Sequence, residues 1–131
     1  MALTLSVTAR NAACDAVVDL LDTGATDATG DLTINADSAG APGTVLVTVN
    51  LQNPAFGNAA SGTASANGLP LQGTVTNSGT AAWFVVRDRN NAEVFRGTVT
   101  ATGGGGDMEI SNTSLTANET VQVQTFDVTM P

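Results

Sequence analysis

The stretch Gly79-Thr-Ala-Ala-Trp-Phe-Val-Val-Arg-Asp-Arg-Asn-Asn-Ala-Glu-Val-Phe-Arg-Gly-Thr-Val99 decides the fold, because it holds the only tryptophan and two of the four phenylalanines. From Ala81 to Val86 apolar side chains fall on both parities, Trp83 and Val85 on one side and Ala82, Phe84 and Val86 on the other. Successive strand residues point to opposite faces of a sheet, so a strand that is apolar at both parities is covered on both faces. This predicts a central strand. The run Asp88-Arg89-Asn90-Asn91 supplies turn chemistry, since Asn and Asp tolerate positive φ and hydrogen-bond their own backbone. Val94, Phe95 and Val99 then continue a return strand.

On the C-terminal side, Gly103, Gly104, Gly105 and Gly106 read as a flexible connection. A phosphate-cradling glycine loop needs a strand before it and a helix after it, with Lys and Ser/Thr at hand in the P-loop case. Here Asp107-Met108-Glu109-Ile110 follows, acidic and strand-like. Thr120 to Met130 is a last strand whose parity changes, with Val121 and Val123 pointing one way and Phe126, Val128 and Met130 the other; a bulge or bend near Gln124 and Thr125 reconciles the halves.

On the N-terminal side, Leu71 to Thr76 and part of Asn58 to Leu69 read as further strands. Thr44 to Leu51 is a clearer one, with Val45, Val47, Val49 and Leu51 on one face. Asn53-Pro54-Ala55-Phe56-Gly57 ends that ladder, because proline cannot donate and restricts the residue before it. Phe56 is expected to plug the core edge. Asp22 to Pro42 reads as loop, interrupted by a short strand over Leu32 to Asn35.

Leu3, Leu5 and Val7 alternate with Ala2, Thr4 and Ser6, which suits an edge strand or an extended arm over residues 1–7 docked on a neighbour. Thr8 is placed to cap a helix over residues 8–22, because Ala9, Ala12, Ala13, Ala16, Val17, Leu20 and Leu21 form one stripe at helical spacing. Gly24 would close it. Arg10 lies in the first turn while Asp15, Asp19 and Asp22 run toward the C-terminal end, the reverse of what the helix dipole prefers. That acidic side reads as a solvated face or as a stripe meeting a basic partner. Roughly eight short strands and one N-terminal helix make the chain mainly β, an antiparallel β-sandwich in a single domain over residues 1–131.

Composition agrees. Twenty threonines and fourteen glycines favour strands and turns over helix. Twelve carboxylates against four arginines, with no lysine, give a net charge of -8. Such a surface repels phosphate, so neither nucleic acid nor an anionic membrane is an expected partner. Cys14 is the only cysteine, which excludes an internal disulfide or a cysteine-built zinc site and reads as a small buried residue on the helix. No signal peptide or apolar run of about 18 residues is visible, so a cytoplasmic setting, or a particle assembled there, is expected.

With no histidine, lysine or tyrosine, the common general bases, Schiff-base formers and proton relays are missing, and no enzyme activity or cofactor is expected. Leu20-Leu21-Asp22-Thr23-Gly24-Ala25 does match the active-site segment of retroviral-type aspartic proteases, whose dimers pair two such aspartates. There the motif ends a strand; here a helical stripe precedes it. Asp88, Asn90 and Glu93 match part of a calcium loop, and Asp27, Asp31 and Asp37 add oxygen donors, but the full spacing is absent and turn or solvent roles account for them.

Four segments carry a resemblance that runs nearly end to end: Leu5 to Asp22, Asn53-Pro54-Ala55-Phe56-Gly57-Asn58-Ala59-Ala60, Gly79-Thr80-Ala81-Ala82-Trp83-Phe84, and Thr125-Phe126-Asp127-Val128-Thr129-Met130-Pro131. The chain resembles a family of small structural proteins encoded by tailed bacteriophages. It departs from that family near Leu32 to Pro42, where Leu32-Thr33-Ile34-Asn35 stands in for a strand such as Leu-Arg-Ile-Tyr. The resemblance implies a virion component, with a capsid decoration or cement protein as the favoured reading and a tail or head-tail connector component as the alternative. It implies the major capsid protein as partner, a homo-oligomer (dimer or trimer) on the capsid lattice, and a place on the head exterior. Leu3, Leu5, Val7, Asp15, Asp19 and Gly103 to Gly106 are the candidate contacts.

Overall fold

The structure is a computed structural model that describes residues 3–131. Helix α1 (Val7–Asp19) passes into a 3-10 turn (Leu20–Asp22). Eleven strands follow: β1 (Asp31–Ser38), β2 (Ala41–Asn50), β3 (Thr63–Ser65), β4 (Leu71–Thr74), β5 (Gly79–Thr80), β6 (Trp83–Arg87), β7 (Glu93–Ala101), β8 (Met108–Ile110), β9 (Ser114–Leu115), β10 (Thr120–Val123) and β11 (Asp127–Thr129). The chain is mainly β and sandwich-like. Its main sheet runs β2-β1-β6-β7-β8, and three two-stranded sheets, β4–β10, β3–β11 and β5–β9, complete it.

Strand β6 is central, between β1 and β7, with Phe84, Val85 and Val86 all buried. Its two faces differ. Phe84 and Val86 join Leu32 and Ile34 of β1 in the hydrophobic core. The opposite face, where Val85 pairs with Thr33, carries a polar chain: Arg87 donates to Thr33 Oγ1 at 3.0 Å, Thr33 Oγ1 to Asn35 Oδ1 at 2.8 Å, and Asn35 Nδ2 to the Gly43 carbonyl at 2.9 Å. A buried polar group is costly only when left unpaired, and here each link satisfies the next.

The core's aromatic residues run in a line. Phe56 and Phe126 lie 5.1 Å apart between ring centroids, Phe126 and Phe84 5.7 Å, and Phe84 and Phe95 6.3 Å, each edge-on. Phe56 therefore fills the core edge as expected. Gly97 makes room for Phe84, whose Cε1 would stand 2.6 Å from any added Cβ.

Several expectations need correction. β1 and β2 extend into the stretch read as loop, reaching Ser38 and starting at Ala41. Their register skips Leu46: Ile34 pairs with Val47 but Asn35 with Val45, and this bulge lets Leu46 and Val47 be buried in succession. The C-terminal strand is two strands in two sheets, β10 on β4 and β11 on β3, with the change of parity falling in residues 124–126. The sandwich is not wholly antiparallel, because β7 and β8 run parallel over Val99–Met108, Thr100–Glu109 and Ala101–Ile110. Parallel neighbours usually need a crossover of a dozen or more residues. Six suffice here, residues 102–107, because β8 retraces only the last three residues of β7.

Candidate interaction surface

The helix is capped by Ser6, whose Oγ accepts the Ala9 amide at 3.1 Å, and not by Thr8. Leu3 to Ser6 form no strand, so the edge-strand reading of the N-terminus does not hold; Met1 and Ala2 lie outside the described residues. Val7 belongs to the helix and not to the arm.

The larger correction concerns which face lies inward. Of the expected stripe, only Leu21 is fully buried; Ala9, Ala12, Ala16 and Leu20 are exposed. Facing the body are Asn11, Cys14, Asp15, Val18, Leu21 and Asp22. Asn11 Oδ1 accepts the Gly62 amide at 2.7 Å, Asp15 Oδ1 the Ala59 amide at 2.7 Å, and Asp22 Oδ1 the Ala55 amide at 2.9 Å. Positions 11, 15 and 22 share one side of a helix, since a spacing of four and then seven returns to nearly the same angle. The irregular segment 53–62 offers main-chain donors that no ladder satisfies in full, and unpaired buried amides are costly. Its demand for acceptors orients the helix.

Asp15 and Asp22 are thus occupied, and the acidic side is not a surface stripe; only Asp19 of the three is exposed. Cys14 is buried at 0% exposure with its thiol donating to the Val128 carbonyl at 3.2 Å, and burial pushes that thiol above its ordinary pKa. A buried, protonated thiol is unreactive.

With that face turned inward, the apolar stripe meets solvent. Leu3, Leu5, Val7 and Leu20, exposed by 74%, 41%, 50% and 50%, are the exposed large hydrophobic residues among those described. Leu3 and Leu5 lie on the arm, Val7 opens α1, and Leu20 opens the 3-10 turn that continues it. Ala9, Ala12, Ala16 and Leu20 share one side of the helix, bordered by the exposed Asp19, while Val7 lies on another side. Concentrated apolar exposure of this kind marks a surface that another molecule covers.

No family model matches the chain, and no curated protein or solved structure is significantly similar to it.

The glycine loop lies elsewhere, between β7 and β8. It is not slack: the Gly103 and Gly105 amides donate to Glu109 Oε1 and Oε2 at 3.2 and 2.9 Å, and the Gly106 amide to Thr100 Oγ1 at 3.0 Å. Successive amides of this sort form an anion-binding concavity. The chain's own carboxylate fills it, which closes the loop to an external phosphate. Nothing but the acidic residue a few positions after the glycines could have signalled this.

The Asp22-Thr23-Gly24 segment is built into the helix end. Asp22 holds Ala55, Thr23 Oγ1 donates to the Leu20 carbonyl at 2.6 Å, and Gly24 turns the chain at φ +117° where Asn90 and Arg89 press against it. The calcium-type residues are likewise engaged. Asp88 Oδ1 accepts the Asn90 and Ala92 amides, Glu93 pairs with Arg96 at 2.9 Å, and Asp37 accepts from Trp83 Nε1 at 2.9 Å. Among the described residues no group of three or more carboxylate or thiol side chains is placed to hold a metal. Asp27 and Asp31 share an open cleft with Asn50 and Asn91; burial raises the Asp31 pKa, against the pull of the Arg87 guanidinium.

Proposed function

We propose that the protein is a phage capsid decoration, or cement, protein that acts by binding and not by catalysis. The observation that carries this reading is the exposed apolar side of the helix, Ala9, Ala12, Ala16 and Leu20. The sequence resemblance supports it too, and three of the segments that bear it meet in the fold: α1 and its 3-10 turn hold residues 55–62 through Asn11, Asp15 and Asp22, and α1 touches β11 through Cys14. In this reading the helix stripe Ala9, Ala12, Ala16 and Leu20 lies on the major capsid protein across a seam between subunits.

The mechanism is thermodynamic. A ligand that binds only the assembled lattice stabilises it by mass action, and symmetry repeats each contact over the shell. Each seat should bury on the order of 1,000 Å² or more. The outward-facing remainder is acidic and avoids nucleic acid, which suits the head exterior.

The deciding measurement is the copy number of this chain in purified virions, by quantitative mass spectrometry against the major capsid protein. A fixed proportion to that protein supports decoration. A count matching a tail ring or connector moves it to the tail, and absence from the particle removes the virion reading altogether. Leu20→Asp and Ala12→Arg then serve as surface variants that should abolish retention on heads while leaving the melting temperature within a few degrees of the parent.

A further inference from the structure

Strand β7 is paired on one side along most of its length and on the other only at its end. Toward β6 it matches Glu93 to Thr98, with one bulge. Toward β8 it matches only Val99 to Ala101. The Val99 amide donates to the Ala82 carbonyl, so the residues two and four earlier, Gly97 and Phe95, also turn their polar groups toward β6, and Arg96 and Thr98 turn theirs away. Thr98 is supplied: its amide donates to Asp107 Oδ2 at 2.9 Å. Arg96 has no main-chain partner on that side among the described residues. The open edge therefore spans residues 93–97.

This edge lies beside a half-buried aromatic. Phe95 ends the line of rings through Phe84 and Phe126, and it is the one phenylalanine of the four that is not buried. A strand laid along the edge would cover it with alternate side chains.

The chain contains one segment with the pattern such a strand requires and no strand of its own. Leu3 and Leu5 flank Thr4, carry no charged side chain, and make no main-chain pairing among the described residues. Residues 3–5 span about 10 Å when extended, enough to pass Arg96 and cover Phe95. The charged Glu93–Arg96 pair guards the edge against indiscriminate pairing, as exposed edges generally require. An uncharged arm with leucines every second residue still fits, because those leucines can lie on the Phe95 side.

We propose that the arm of one copy adds as a strand to the β7 edge, residues 93–97, of a second copy, with Leu3 and Leu5 over Phe95. Main-chain bonds to Arg96 give the affinity, and the alternate leucines give the register. Copies related by a two-fold axis exchange arms reciprocally and give a dimer, and a one-way contact builds a ring where the rotation closes. The proposal concerns the isolated chain and stands apart from the capsid reading.

Two variants of the full chain test it in analytical ultracentrifugation over a concentration series. Leu3→Ser/Leu5→Ser alters only exposed side chains of the arm. Arg96→Pro removes the outward amide on an edge position where proline is tolerated. The parent is expected to sediment above the 13.1 kDa of one chain, and each variant at that mass. Mixing the two should restore a two-chain species and nothing larger, since one partner keeps a sound edge and the other a sound arm. Circular dichroism melts confirm that both variants are folded. A parent that stays monomeric at several hundred micromolar overturns the proposal. So does an oligomer that survives either variant, or a mixture that fails to re-associate.

Discussion

The junction of β6 with β1 and the seam between α1 and residues 53–62 are both buried, yet they are held in opposite ways. At the first, ladder hydrogen bonds align the strands and Leu32, Ile34, Phe84 and Val86 fill the space between them and the rest of the core. At the second, Asn11, Asp15 and Asp22 reach across to individual amides, with Cys14, Val18 and Leu21 packed among them. Apolar packing is non-directional and scales with area, whereas a side-chain acceptor fixes one atom against another. The sheet is placed by its hydrophobic pattern; the helix is placed by three polar atoms.

The first way to break this contrast is at the core. Phe84→Ala removes the ring at the centre of the aromatic line and is expected to cost about 3–5 kcal/mol, read from chemical denaturation. At the seam the losses should be smaller and chemically selective. Asp15→Ala leaves the Ala59 amide without its acceptor and should cost about 1–3 kcal/mol, while Asp15→Asn keeps an oxygen in place and should recover most of it. If Asn and Ala behaved alike, the seam would be held by packing and the contrast would fail. The outer helix face sets the baseline: Ala16→Ser should change stability by no more than about 0.5 kcal/mol.

The smallest expected effect depends on pH. Asp31 has a folded pKa raised chiefly by burial, with Arg87 opposing and Asp27 adding to the rise. Folding thus favours its protonated form, and its contribution is fully present below the ordinary aspartate pKa and lost as pH climbs through the raised value. Asp31→Asn should raise the melting temperature slightly at pH 7, and the gain should vanish in acid. A loss at pH 7 that disappeared in acid would mean that the Arg87 attraction outweighs burial.

The same contrast explains what was legible in the sequence. Alternation and two-sided apolarity located β6, the 88–91 turn and β7, because strand burial writes a period of two into the residue types. The existence of the helix was equally plain. Its orientation was not: the alanine stripe Ala9, Ala12, Ala16 gave the stronger helical signal, but alanine gains little from burial, while the loop amides needed acceptors that only Asn11, Asp15 and Asp22 supply. Spacing alone could not reveal a demand made by residues 33 to 51 positions away. The candidate contacts divided likewise. Leu3, Leu5 and Val7 stand open, Asp15 is engaged, and Gly103 to Gly106 are wound about Glu109, a partner no glycine count announces.

The pairing of β7 with β8 also bears on how fast this fold can assemble. Parallel strands are ordinarily slow to meet, because a whole helix must be folded or dragged between them before the first bond forms. Here Val99 and Met108 are nine residues apart, so the chain entropy lost on bringing them together is that of a hairpin, and loop-closure cost rises only slowly with length. The Glu109 carboxylate gathers the glycine amides as the strands meet, offsetting the freedom those residues give up. In kinetic terms this edge of the sheet behaves as a local element, free to form before the long-range contacts that join α1 to β11.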